Sequence, residues 1–155
     1  MIRIVKVNSE YIKALQEVDE FVYDNKSGSR PYIGFLIDVD NSLFVAPLTS
    51  PKPKHKTWSH KKKDIYLIDR GNKGVLQLSN MIPVHMHLCT EINLDENSQY
   101  NNLLKSQFID VDNNKAEVEK RARKLIELKE NKPNHYLVKN CCDFGKLKNI
   151  CKTWK

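Results

Sequence analysis

Short strand-like apolar runs, with one helical stretch among them, fill the first half of this chain, and apolar residues recur at helical spacing through the second. Ile2–Val7 (IRIVKV) keeps period 2 with one slip at Ile4-Val5, as a half-buried strand does. Ser9 then serves as an N-cap for a helix whose apolar stripe is Tyr11, Leu15, Val18 and Val22. That helix should end near Asp24, where the turn formers of Asn25–Ser29 begin. Pro31–Val39 and Ser42–Leu48 read as an antiparallel hairpin turning at Asp40-Asn41, so paired positions should sum to about 81. Pro47 argues for an edge or a bulge near the end of the second strand. Ile65–Ile68, a Gly71–Gly74 turn, Val75–Leu78 and Met81–Leu88 complete the expected sheet, with Met81–Leu88 as its last strand.

From Asp95 onward the pattern is helical. Tyr100, Leu103, Leu104 and Phe108 share one face. Asn114 with Glu117 at N3 resembles a capping box for a helix to about Glu130, with Val118, Ala122, Leu125 and Ile126 inward. Pro133 stops it, and a shorter element is expected around His135–Val138. The prediction is an α+β fold: one domain over 1–155, with a twisted antiparallel sheet from the first ninety or so residues and helices covering it.

Composition narrows the class. Hydrophobic residues at 40% and charged residues at 29% are ordinary for a soluble domain, and no apolar run approaches the ~20 residues of a membrane span. Arg3 and Lys6 interrupt the start, unlike a secretory signal, so the expected location is cytoplasmic. Cys89, Cys141, Cys142 and Cys151 contain no C-x-x-C and are expected as reduced, mostly buried thiols. No metal or other cofactor is expected.

Charge changes the picture more. The net charge is +7, yet Pro51–Lys63 alone carries +6 and Lys139–Lys155 carries +4, leaving −3 elsewhere. Two positive patches on an otherwise acidic chain point to a polyanion. The first patch also brings chemistry. Thr49, Ser50, Lys52, Lys54 and His55 fall within seven residues at a strand end, and Arg30 opens the strand that pairs there. Hydroxyls and cations can hold a phosphodiester and stabilise developing charge, while an imidazole or a lysine of lowered pKa can move protons. Taken alone, this inventory leaves three classes open: a ribonuclease, a non-catalytic RNA- or DNA-binding module, and a protein-interaction domain with incidental lysines. His85 and His87 fit a solvated strand face, and Asp38 and Asp40 fit the hairpin turn rather than a metal site.

Longer blocks are more specific. RPYIGFLIDV, FVAPLTSPK, GVLQLSNMIPV, YNNLLKSQFI and CDF occur in that order across nearly the whole chain. Together they resemble the endoribonuclease toxins of type III toxin–antitoxin systems, the ToxN/AbiQ family. The resemblance implies a strongly twisted antiparallel sheet of the Kid/MazF type and metal-independent RNA cleavage to 2′,3′-cyclic phosphate and 5′-hydroxyl ends. It also implies a short pseudoknot RNA antitoxin, processed and then bound in a closed cyclic protein–RNA assembly, with a role in abortive phage defence or element maintenance. On this chain the family's catalytic positions fall on Arg30, Thr49, Ser50 and Lys52. Arginine at position 30, where other members carry lysine, can clamp a phosphate but is a poor proton shuttle, which leaves the general base unassigned. Lys26, Lys54, His55, Lys56, Trp58, Lys61, Lys62 and Lys63 on one side, and Phe144, Lys146 and Lys148 on the other, are expected to grip the RNA, with Trp58 and Phe144 as base-stacking candidates.

Overall fold

The hairpin at residues 32–49 organises the molecule. In the computed structural model, which describes residues 3–23, 31–58 and 63–154, β2 (Tyr32–Val39) pairs with β3 (Ser42–Thr49) through the expected register, Gly34 opposite Pro47 and Val39 opposite Ser42. Asp40 and Asn41 both take positive φ (51° and 68°), as a tight two-residue hairpin turn requires, and Asp38 accepts the Asn41 N–H. β1 (Arg3–Val7) joins the other edge of β2. Short strands β4 (Tyr66–Leu67), β5 (Val75–Leu76), β6 (Ile82–Pro83) and β7 (Cys89–Glu91) complete an antiparallel sheet in the order β4-β5-β3-β2-β1-β7, with β6 also on β3.

Pro47 therefore sits in an interior strand, not at an edge. It lies where β3 changes partners, between Val45 opposite Ile82 and Leu48 opposite Leu76, so its missing N–H falls in a gap of the ladder. Its carbonyl still accepts the Gln77 N–H. Met81–Leu88 likewise is not one strand: it shortens to β6 and a 3-10 turn at Met86–Leu88, and β7 beyond it is the outer strand on β1.

Helix α1 (Ser9–Val18) is capped by Asn8, whose side chain accepts the Tyr11 N–H; Ser9 is its first residue. The helix stops at Val18, earlier than the stripe suggested. Tyr11 and Leu15 are fully buried, Val18 is 41% exposed, and Val22 reaches the core from the turn beyond. Helix α2 (Gln99–Asn113) buries Asn101, Leu104, Gln107 and Val111, which turns Tyr100 outward. Helix α3 (Lys115–Asn131) buries Val118, Ala122 and Leu125 as expected, but Asn114 makes no side-chain cap; its amide donates back to Asp110.

The C-terminal tail holds the largest difference. His135–Val138 forms turns, whereas Phe144–Thr153 is helix α4, capped by Asp143. Its apolar residues Phe144, Leu147 and Cys151 belong to the main core, where Phe144 meets Phe44. All four cysteines are free thiols, three of them buried, and burial raises Cys89 and Cys141 to about 11. No helix among the described residues is long and apolar enough to cross a membrane.

Candidate RNA-cleavage site

β3 delivers the site. Its last residue, Thr49, pairs with Val75 and is half-buried; Ser50 and Lys52 follow on an exposed stretch that leads into a 3-10 turn. Three parts of the fold brace this exit. Gln77, just past β5, donates from Nε2 to Thr49 Oγ1 at 3.3 Å. The received bond leaves the threonine's own proton free for another acceptor. Gly74, at φ +110°, packs so closely that a Cβ there would stand 2.2 Å from the Thr49 carbonyl oxygen. Only glycine suits that backbone and that approach. Gln107 of α2, almost fully buried, donates to the Lys73 carbonyl at 2.6 Å and so holds the Gly74 turn in place.

Downstream, Pro53–Thr57 forms a 3-10 turn with Lys54 and Lys56 exposed. Trp58 is half-buried against Ile65, Leu67 and Val75, with Lys54 Nζ 5.7 Å from its ring centre. It thus belongs partly to a small satellite core. Lys63 is exposed.

Two expected RNA contacts are corrected. His55 is fully buried, held between Trp58 and the backbone at Gly71, so it cannot reach a phosphate; burial and the neighbouring Lys54 and Lys52 lower its pKa. Phe144 is 2% exposed and meets Phe44 edge-on at 6.2 Å between ring centres, so it is core and not a stacking platform. Lys146 and Lys148 remain exposed on α4. Arg30, Lys26, Lys61 and Lys62 lie outside the described residues. His85 and His87 stack on each other at 5.2 Å, off any strand, with His85 Nε2 2.7 Å from the Cys151 carbonyl oxygen.

Gln77 and Gln107 went unrecognised in sequence. Gln107 carried a legible signal, since it stands at i+3 from the buried Leu104; Gln77 carried none, because its role depends on β5 reaching β3. A groove of about 1100 Å³ between α3 and Lys63–Asp64 includes none of Thr49, Ser50 or Lys52. The exposed strand exit, not this groove, brings the expected hydroxyls and lysine together. Among the described residues no cluster of His, Cys, Asp or Glu could hold a metal ion.

Comparison with known proteins finds relatives in both sequence and fold. A family model described as toxin ToxN of a type III toxin–antitoxin system matches residues 3–152. The endoribonuclease ToxN of Bacillus thuringiensis subsp. kurstaki is 34% identical over 96% of this chain and 82% of its own length. A structure of a bacterial type III system, in which a non-coding RNA pseudoknot selectively inhibits the toxin, superposes with a TM-score of 0.82 at 27% identity over 97% of this chain and 96% of that one. AbiQ, a lactococcal anti-phage endoribonuclease, shares the fold with a TM-score of 0.81 at 21% identity, covering 98% of this chain and 96% of its own.

Proposed function

The chain belongs to the ToxN family of type III toxin–antitoxin systems, and from that premise we propose that it is a sequence-selective, metal-independent endoribonuclease toxin held in check by a small pseudoknot RNA. The observation that carries the site assignment is the braced exit of β3, which presents Thr49, Ser50 and Lys52 together. In the reaction the substrate's 2′-oxygen attacks the adjacent phosphorus and the bond to the 5′-oxygen breaks. The products are a 2′,3′-cyclic phosphate and a 5′-hydroxyl. One proton leaves the 2′-hydroxyl and one reaches the departing oxygen. Hydroxyl donors at Thr49 and Ser50 serve the non-bridging oxygens, and the Lys52 and Arg30 cations offset the charge that grows there. His55 is fully buried and is not assigned as the proton carrier.

The antitoxin reading uses the same surface. Exposed Lys54, Lys56 and Lys63, together with Lys61 and Lys62, provide more positive charge than one scissile phosphate needs. Folded RNA retained across this tract would occupy the site as a bound product, in a closed assembly of alternating protein and RNA, and cytoplasmic release of the toxin would serve phage defence or element maintenance. The test is incubation of the pure protein with cellular RNA in excess chelator, followed by chemical mapping of the new ends. Cyclic phosphates and 5′-hydroxyls are expected. Ends that appear only with added divalent metal, or that carry 3′-hydroxyls, refute the mechanism; binding without new ends reduces the protein to an RNA-binding module.

A further inference from the structure

The histidine of the basic tract is built into the fold instead of being offered to a ligand. Two hydrogen bonds tie it to Lys52 in both directions. The His55 N–H donates to the Lys52 carbonyl at 3.0 Å, and the Lys52 N–H donates to His55 Nδ1 at 3.2 Å. Lys52 stands between Pro51 and Pro53, neither of which has an N–H, so its amide is the one backbone donor of that stretch. The imidazole is the acceptor for that single donor.

An accepting Nδ1 carries no proton, so the neutral ring keeps its proton on Nε2. Nε2 is buried and has no partner among the described residues. A ring that only filled space beside Trp58 could be apolar and avoid the cost of an orphaned donor. The polar ring is accounted for by the Lys52 bond. Its enclosure is also enforced from outside. Asp69, Arg70 and Gly71 take positive φ in succession (49°, 56° and 92°), and a Cβ on Gly71 would lie 2.6 Å from the His55 carbonyl oxygen. The Asp69 N–H is anchored on Asp110 of α2, which keeps this left-handed turn closed over His55.

We propose that His55 is a positioning residue for Lys52: its neutral imidazole accepts the one amide between two prolines and holds the backbone from which Lys52 reaches the scissile phosphate. The inference rests on the assignment of Lys52 above. Lys52 is thereby kept extended (φ −135°, ψ 149°) at the point where the chain leaves the strand exit for the 3-10 turn. His55 itself touches no substrate.

The test compares His55→Asn, whose Oδ1 can occupy the place of Nδ1, with His55→Gln, whose acceptor lies farther out, each made in the wild-type and Lys52→Ala backgrounds. On a short RNA, His55→Gln should lower kcat about 10- to 100-fold with KM within about threefold, the range expected for a small misplacement of a reacting group. His55→Asn should stay within about threefold of wild type, and His55→Gln should cost nothing further once Lys52 is alanine. Equal losses in the two backgrounds, or equal behaviour of Asn and Gln, would overturn the proposal. Full activity of Lys52→Ala alone would instead remove Lys52 from the site, and this inference with it. Nitrogen NMR of the unsubstituted protein at neutral pH provides a readout free of folding effects: His55 should be the neutral tautomer protonated on Nε2, and a proton on Nδ1 refutes the idea.

Discussion

The two lysine-rich stretches look alike in sequence and are different objects in the fold. Pro51–Lys63 follows a strand end, and its described lysines are exposed beside two hydroxyls and a turn pinned by a buried histidine. Lys139–Lys155 is largely an amphipathic helix, capped by Asp143, that inserts Phe144, Leu147 and Cys151 into the core and leaves Lys146 and Lys148 on its outer face. In the first, cations gather around candidate chemistry. In the second, they line the outer face of a helix whose inner face is committed to the core. Lysine density identifies a polyanion site only when the intervening residues are not committed to packing.

Substitutions in the two stretches should therefore fail in different ways. Phe144→Ala should cost about 3–5 kcal/mol of stability, because it leaves a cavity against Phe44. A urea titration checks this, and a loss below about 1 kcal/mol would return Phe144 to the surface. Ser50→Ala should lower cleavage about 10²- to 10³-fold, as for a lost oxyanion donor, with an unchanged urea midpoint. Full growth inhibition by Ser50→Ala would remove Ser50 from the site. Arg30→Lys should retain a measurable part of the activity.

A milder contrast comes from charge reversal. Changing Lys61, Lys62 and Lys63 to Glu should weaken antitoxin binding and flatten its salt dependence by roughly 0.7–0.9 for each phosphate no longer neutralised. The rate on a short oligonucleotide should fall much less. The same reversal at Lys146 and Lys148 should change affinity less than the tract does. Equal effects from both patches would make them a single polyanion surface.

The smallest expected effect is on pH. The fold lowers the His55 pKa from 6.5, chiefly by burial. Below about 6.5 the unfolded chain takes up a proton that the folded chain resists, so the linked stability is fully present above that pH and lost as pH falls through the folded value. Melting temperature against pH should show this slope in the wild type and lack it in His55→Asn.

Much of the fold was readable from residues alone. The hairpin register followed from a turn at Asp40-Asn41, because a two-residue turn fixes which positions face each other, Ile37 with Phe44 and Phe35 with Ala46. The candidate site at Thr49–Lys52 was legible because those residues are neighbours in the chain. Helix α4 was not, since its lysines concealed an apolar face that becomes evident only against β6 and α3. His55 was misread for the same reason. Its type and its company of lysines suggested solvent, but burial depends on Trp58 and a left-handed turn more than ten residues away.

By itself, then, the sequence determined which residues could handle a phosphodiester, the α+β class and the pairing of the central hairpin, all of which rest on local order and periodicity. Tertiary structure alone decided which cations are free, which histidine is locked, and that Gln77, Gly74 and Gln107 brace the strand exit. Those outcomes depend on packing between segments far apart in the chain, and no local pattern encodes the distance between them.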